Sequence, residues 1–120
     1  MQSREDHLTA TGSTRRFGML IGLREECAND YVALHAGPGV RDLLAAANIR
    51  NFSIFLHRLP DGRLYEFGYY EYAGENYEAD MAALAAHPRN TEWLALCDPM
   101  QLPLPGETGW AEMNQVFYNP

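Results

Sequence analysis

A pair of alternating segments around a tight turn constrains the fold more than any other feature of the chain. Residues 51–59 and residues 64–72 each alternate side chains with a period of two, which is typical of β-strands. Between them, residues 60–63 read Pro-Asp-Gly-Arg, and the glycine is placed for a left-handed backbone conformation. Two such segments joined by a short turn predict an antiparallel β-hairpin.

Strand and helix patterns flank this hairpin on both sides. Residues 15–23 form an alternating strand, and the glycines at 18 and 22 leave space above one of its faces. A helix should open at Arg24, run through His35 and break at Gly37-Pro38-Gly39, with a second helical piece over residues 40–47. After the hairpin, helices are predicted from Tyr77 to the region of Pro88 and over residues 91–97. An irregular, proline-rich loop over 98–109 and a last strand over 110–118 follow.

The order of these elements is β-α-β-β-α-β, which predicts an α+β, ferredoxin-like fold with an antiparallel sheet. Helices then cover only one face of the sheet. In a chain of 120 residues, a second copy of the same sheet is an economical cover for the other face. We therefore expect a homodimer in the form of a dimeric α/β barrel. Residues 1–14 are predicted to be a flexible N-terminal tail, and residues 15–120 a single domain.

Charge and composition exclude several classes of function. All nine cationic residues are arginines, so chemistry that needs a lysine amine, such as Schiff-base catalysis or a P-loop, is ruled out. A net charge of −7 argues against nucleic acid and anionic membranes as partners. Cys27 and Cys97 form no disulfide framework, and the N-terminus has no apolar signal segment, so a cytoplasmic location is expected.

Tyr31 and His35 are the first candidates for chemistry. They are spaced i, i+4, so both side chains project from the same face of one helix. An imidazole can accept or donate a proton near neutral pH, which suits a general acid/base. A histidine at a helix end can equally cap carbonyl groups or lie in solvent, and the spacing alone does not decide between these roles.

Aromatic residues are the second group of candidates. Trp93 and Tyr118 belong to a set of aromatic side chains that could line a cavity and stack on sugar rings, although core and interface packing use aromatics in the same way. Glu92 beside Trp93 could bind a hydroxyl, or could lie on the helix surface. The four histidines show no metal-ligand spacing, and no Gly-x-Gly-x-x-Gly follows a strand. We therefore expect no metal and no organic cofactor, and a small molecule as the partner.

Four segments in this order resemble the L-rhamnose mutarotase family. They are Asp-Tyr-Val-Ala-Leu-His at 30–35, Asn-Phe-Ser-Ile-Phe-Leu at 51–56, Glu-Trp at 92–93 before Cys-Asp-Pro-Met at 97–100, and Gln-Val-Phe-Tyr-Asn-Pro at 115–120. The resemblance covers residues 15–120 and implies a ferredoxin-like mutarotase-type domain that works as a dimer without cofactors.

The resemblance also implies an activity and a set of site residues. His35 would be the acid/base, Tyr31 a sugar-binding or proton-relay partner, and Trp93 a surface that packs on the sugar. The reaction would be interconversion of the α and β anomers of a 6-deoxy aldose such as L-rhamnose, or alternatively L-fucose, by ring opening and closure. Further substrate-binding positions would be Glu92, Phe52 and Tyr118.

Three positions depart from the family pattern. Val40 lies in a shortened segment where the family has Trp-Pro, Phe52 stands for a tyrosine, and Glu92 stands for the first of two tryptophans. These changes predict a different sugar or a pocket of different polarity. They also keep two alternatives open: a cofactor-free isomerase or oxygenase on the same dimeric barrel fold, and a non-catalytic sugar-binding dimer.

Overall fold

The computed structural model describes residues 14–120. The tail predicted over residues 1–14 therefore lies outside the described residues, apart from Thr14. The elements, in chain order, are β1 (Arg15–Leu23), a 3-10 turn (Glu25–Cys27), α1 (Ala28–Ala36), α2 (Arg41–Ala46), β2 (Ile49–Arg58), β3 (Leu64–Tyr72), α3 (Tyr77–Ala86), α4 (Pro88–Cys97), a 3-10 turn (Asp98–Met100), β4 (Gln101–Leu102) and β5 (Ala111–Met113).

The strands form one antiparallel sheet in the order β2-β3-β1-β4, and β5 pairs with the same edge of β1 as β4 does. The short strands β4 and β5 together occupy the place of a fourth strand. This arrangement, with helices inserted after the first and third strands, confirms the α+β, ferredoxin-like fold expected from the sequence. The predicted hairpin is β2 and β3, whose register continues to the turn through the pair Arg58–Leu64.

Register assigns each strand residue to one of two faces of the sheet. Ile21 on β1 is opposite Glu66 on β3, which is opposite Leu56 on β2, and these side chains point toward the helices. Phe67 is paired with Leu20 and Phe55, and this row points to the opposite face. No helix of the described chain covers that second face, and Phe55 on it is 65% exposed.

Two segments near the C-terminus differ from the sequence-based expectation. The last strand was expected over residues 110–118 but spans only Ala111–Met113, because β1 offers it only the short stretch Gly18–Leu20. The expected irregular loop over 98–109 contains β4, whose Leu102 pairs with Gly22. Gly22 is needed for this contact rather than for open space, since a Cβ there would lie 2.6 Å from the Leu102 carbonyl oxygen.

The helices begin and end where local chemistry requires it. α3 begins after Asn76, whose side-chain oxygen accepts a hydrogen bond from the Ala79 amide at 3.1 Å. Pro88 is the first residue of α4, a position that needs no amide donor. Within residues 14–120, no helix combines the length and the apolar character that crossing a membrane would require.

Candidate active site

A cavity of about 930 Å³ lies between the helices and the sheet. Its walls come from the four helices α1 to α4 on one side and from β1, β2 and β3 on the other. Most of the lining is apolar, while a few polar side chains converge on it, the pattern typical of small-molecule sites. The polar lining includes Tyr31, His35, Asn51, Asn90, Asp98 and Gln101.

Tyr31 and His35 lie side by side on the α1 wall of the cavity. Their ring centroids are 4.2 Å apart, as the i, i+4 spacing predicts. The Nδ1 atom of His35 is 2.8 Å from the Tyr31 carbonyl oxygen. A carbonyl can only accept, so Nδ1 carries the hydrogen and Nε2 is left with a free lone pair. This contact fixes both the tautomer and the plane of the imidazole.

The end of α1, which carries His35, is held by an arginine. The Arg41 guanidinium donates to the carbonyl oxygens of His35, at 2.8 Å, and of Gly37. These carbonyls are the unpaired acceptors at a helix C-terminus, where a cation is favourable. The backbone around His35 is therefore anchored by Arg41.

Trp93 on α4 forms the neighbouring wall. Its indole meets the His35 ring edge-on, with centroids 5.0 Å apart. It also packs against Gly39, which has a positive φ of 53° and where an added Cβ would lie 3.1 Å from the indole. Arg89 reinforces this junction by donating to Asp42 at 2.7 Å and to the Gly39 carbonyl at 3.2 Å. The link between α1 and α2 is thus packed onto the tryptophan that borders His35.

Phe52 enters the cavity from β2 because that strand bulges. The register shifts between Arg50 and Ser53, and Asn51 within the shift has a left-handed backbone with φ of 53°. The Asn51 amide donates to the Glu71 carboxylate at 2.9 Å, which holds the bulge. Phe52 then stacks on Tyr70, with ring centroids 5.4 Å apart.

Glu66 is a buried carboxyl directly behind the Tyr31 side of the cavity. Its residue is 0% exposed, on the helix-facing side of the central strand β3. The Gln101 side-chain nitrogen donates to the Tyr31 hydroxyl at 3.1 Å and to the Glu66 carboxyl at 3.3 Å. Burial raises the pKa of Glu66 to about 7, despite an opposing effect of Tyr31 and Gln101. Burial, and then the nearby Glu66 carboxyl, raise the pKa of Tyr31 far above its usual range.

Sequence reasoning missed Glu66 and Gln101. The signal for Glu66 was its phase, since it shares one strand face with Leu64, Gly68 and Tyr70, and a lone carboxylate on a core-facing row is unusual. Gln101 lay in a segment expected to be an irregular loop, and its position follows only from the pairing of β4 with β1.

The structure brings four of the expected site residues to the cavity and leaves two outside its lining. Tyr31, His35, Phe52 and Trp93 line it, as does Val40. Glu92 lies exposed on α4 and is not among the lining residues. Tyr118 lies at the start of β1, where its hydroxyl accepts from Arg16 at 2.8 Å and its ring lies under that guanidinium. Among residues 14–120, no three His, Cys, Asp or Glu side chains cluster as a metal site would require.

Comparisons with known proteins identify a family and a similar fold. The family model of L-rhamnose mutarotase matches residues 16–119. Among curated proteins, no significant match to the chain is found. Among solved structures, the tetracenomycin F2 cyclase of Streptomyces glaucescens, a type-II polyketide cyclase, has a similar fold, with a TM-score of 0.61 and 16% identity. The similarity covers 88% of this chain and 99% of the cyclase, and at this identity it concerns the fold alone.

Proposed function

We propose that this chain, which belongs to the L-rhamnose mutarotase family, interconverts the α and β anomers of a 6-deoxy aldose in the cavity beside His35. One observation carries the proposal: an imidazole with a fixed Nδ1 hydrogen faces a cavity between a phenol and an indole. This arrangement supplies a base, a hydroxyl and an apolar surface, which are the groups that sugar ring opening needs.

His35 is the proposed general base. Because its Nδ1–H is engaged by the Tyr31 carbonyl, the Nε2 lone pair is free to accept the proton of the anomeric hydroxyl. The C1–O1 bond then becomes a carbonyl as the C1–O5 bond breaks. The ring oxygen O5 takes up a proton to give the open-chain aldehyde. Rotation about C1–C2 and the reverse steps close the ring with the other configuration.

Tyr31 is the proposed hydrogen-bond donor to the reacting sugar oxygens. Its raised pKa keeps the phenol protonated at all physiological pH values, so it stabilises developing charge as a donor and does not ionise itself. The imidazolium of His35 then gives its proton to O5, either directly or through a water molecule between His35 and O5. No lysine is needed in this scheme, in keeping with a chain that has none.

The apolar part of the cavity suits the face and the methyl group of a deoxy sugar. Trp93 offers a flat surface to ring C–H groups, while Phe52 and Val40 border the same space with no hydroxyl. Burying a C6 methyl group in such surroundings lowers the free energy of binding, whereas burying a C6 hydroxyl costs its hydrogen bonds to water. We therefore favour 6-deoxy sugars over their 6-hydroxy counterparts, and L-rhamnose and L-fucose are the first two to compare.

We also propose that the enzyme works as a homodimer in the cytoplasm. The uncovered sheet face carries Leu20, Phe55 and Phe67, an apolar row of the kind that a second copy buries. In the C-terminal segment, Val116 is 87% exposed and Phe117 is 73% exposed. The two cysteines are unpaired, which suits a reducing compartment.

Exchange NMR on sugar anomers tests the proposed function. Magnetisation transfer between the α and β anomeric protons should accelerate when the protein is added to L-rhamnose or L-fucose, and less so with L-mannose and L-galactose, which differ from them by a C6 hydroxyl. A cavity that binds sugars but leaves every exchange rate at the uncatalysed value would identify a binding protein and refute the proposed catalysis.

A second candidate function is favoured by the predominantly apolar lining alone. A cofactor-free isomerase or oxygenase would use the same base and aromatic walls on a flat, polycyclic substrate. Competition distinguishes the two: a flat aromatic ligand that binds in the cavity far more tightly than any aldose, with no anomer exchange, would favour the second candidate.

A further inference from the structure

Among residues 14–120, Glu66 is the one carboxyl that the fold encloses completely. It is 0% exposed, and one of its oxygens, Oε2, accepts a hydrogen bond from the Gln101 side chain at 3.3 Å. The other oxygen, Oε1, is buried and has no hydrogen-bond partner among residues 14–120. Native proteins pair nearly all buried polar atoms, because leaving one unpaired costs free energy. The unpaired oxygen of Glu66 therefore points to a role for this carboxyl.

The groups that face Glu66 come from every element packed around it. Across the sheet it meets the apolar side chains of Ile21 and Leu56. Tyr31 faces Glu66 from α1. On α4, the Cys97 thiol is close enough to Glu66 and to Asp98 for both carboxyls to affect its pKa. Burial, Asp98 and Glu66 raise the pKa of Cys97 to about 11, so the thiol stays neutral. Beyond Tyr31, the next titratable group on α1 is His35, in the cavity itself.

Gln101 fixes the direction of the hydrogen bond that Tyr31 can make. Because the Gln101 nitrogen donates to the Tyr31 oxygen at 3.1 Å, the Tyr31 hydrogen has to point elsewhere. Two directions remain for it: back to the Glu66 carboxyl, or forward into the cavity. An ionised Glu66 is the stronger acceptor and draws the hydrogen back. A protonated Glu66 releases it toward the cavity.

We propose that Glu66 is a positioning residue for Tyr31, and that its charge state decides whether the Tyr31 hydroxyl donates into the cavity. This inference rests on the proposed function, since it is the sugar that receives the released hydrogen. Glu66 does not line the cavity and touches no substrate. It acts only through Tyr31, and the uncharged form of Glu66 is the active one. Burial supports this, because it raises the pKa of Glu66 to about 7, within the range where an enzyme operates.

The first arm of the test needs no activity. In protein labelled with ¹³C at the tyrosine Cζ, the Tyr31 resonance, identified by its loss in Tyr31→Phe, should shift with a midpoint near pH 7. The shift should vanish in Glu66→Gln, which keeps the shape and cannot ionise. Glu71→Gln is the control, because it removes the charge of a carboxyl that accepts a hydrogen bond from a different tyrosine, Tyr69, at 2.7 Å on the other sheet face. It should leave the Tyr31 titration unchanged.

The second arm follows kcat for anomer exchange, corrected for the uncatalysed rate, between about pH 6 and pH 8. A single group that titrates near pH 7 changes its protonated fraction about tenfold over this interval, so kcat of the wild type should fall about tenfold relative to that of Glu66→Gln. When Tyr31→Phe is introduced into both the wild type and Glu66→Gln, the ratio of their kcat values should no longer depend on pH. KM should change little, since Glu66 does not contact the sugar.

The outcomes separate this inference from the proposed function. A Tyr31 resonance that does not titrate near pH 7, or that titrates equally in Glu66→Gln because His35 alone causes the shift, would overturn the role of Glu66. If Glu66→Gln fails to fold, His35→Asn decides instead: a Tyr31 titration that persists in His35→Asn supports the role of Glu66, and one that is lost there overturns it. If no form of the protein accelerates anomer exchange, the proposed function is wrong, while the NMR titration still decides whether Glu66 directs Tyr31.

Discussion

A single buried carboxyl makes the stability of this fold depend on pH. In the unfolded chain, Glu66 loses its proton near its ordinary pKa of 4.5, but in the folded protein it keeps the proton up to about pH 7. At Glu66 the folded state thus binds more protons between these values, so the contribution of this residue to stability falls as pH rises through the window and is level above it. A shift of this size corresponds to about 3 kcal/mol.

The substitution Glu66→Gln should remove this decrease in stability with rising pH, because glutamine does not ionise. Between about pH 5 and pH 8, the free energy of unfolding measured in urea should drop by about 2.5 kcal/mol more in the wild type than in the variant. Glu71→Gln serves as the control, because hydrogen bonds from Tyr69 and Asn51 keep the pKa of Glu71 below its usual range and outside the window. Parallel stability curves for the wild type and Glu66→Gln would show that Glu66 is not held protonated.

Contacts within one helix could be predicted from the sequence, whereas contacts between elements could not. The i, i+4 spacing of Tyr31 and His35 is a local property of a helix, so their proximity could be predicted. The link from Tyr31 through Gln101 to Glu66 could not be predicted, because it depends on which strands lie under α1. The locations of Glu92 and Tyr118 depend in the same way on the rotation of α4 and on the path of the C-terminal segment.

At the level of elements, the α1–α2 junction positions the tryptophan beside the catalytic candidate. Gly39→Ala should both strain the junction and push the Trp93 indole, because Gly39 has a positive φ and its Cβ would lie 3.1 Å from the ring. The left-handed backbone costs an alanine about 1–2 kcal/mol. We expect lower stability, a higher KM for the sugar and a changed tryptophan fluorescence.

Gly62→Ala is the matched control for this variant. Gly62 also has a positive φ, of 82°, but no atom lies within 4 Å of the added Cβ. It should lose a similar amount of stability in thermal or urea unfolding while keeping its KM. An unchanged KM in Gly39→Ala as well would mean that the junction does not position Trp93 for binding.

The elements themselves were predictable to the extent that local pattern defines them. Both β1 and β3 span the residues that the alternation indicated, Arg15–Leu23 and Leu64–Tyr72. The bulge in β2 could not be predicted from the sequence, because an asparagine at position 51 does not by itself indicate a left-handed backbone conformation inside a strand. The last strand was expected to be too long, since alternation continues to residue 118 while the edge of β1 is shared between β4 and β5.

For the whole molecule, the uncovered sheet face predicts self-association. Phe55→Glu places a charge at the exposed β2 end of the apolar row, so it should convert a dimer into monomers, as measured by sedimentation velocity across a range of concentrations. Leu96→Glu is the control, because Leu96 is 54% exposed on α4, outside the cavity lining and away from the sheet face. A wild type that is monomeric at all concentrations, or a dimer that both variants leave intact, would contradict this use of the face.

The overall architecture could be predicted because it follows from the order of elements, whereas the chemistry needs their assembly. The β-α-β-β-α-β order already implied one covered and one uncovered sheet face. The site, in contrast, joins α1, α4, β3 and β4, and the carboxyl behind it, Glu66, is a residue that a strand pattern would assign to the core. The family match indicates a sugar as the substrate, and the geometry supports the roles proposed for the residues.

The most direct test of these roles is the anomer exchange rate of His35→Asn. Asparagine can keep the donor to the Tyr31 carbonyl that Nδ1 now provides, while it removes the Nε2 lone pair proposed as the base. With L-rhamnose, or the best sugar of the panel, kcat measured by exchange NMR should fall by about 10²- to 10⁴-fold, the usual contribution of a general base. His57→Asn, on the exposed end of β2, should retain the rate of the wild type. A His35→Asn protein that folds and exchanges anomers as fast as the wild type would contradict the account.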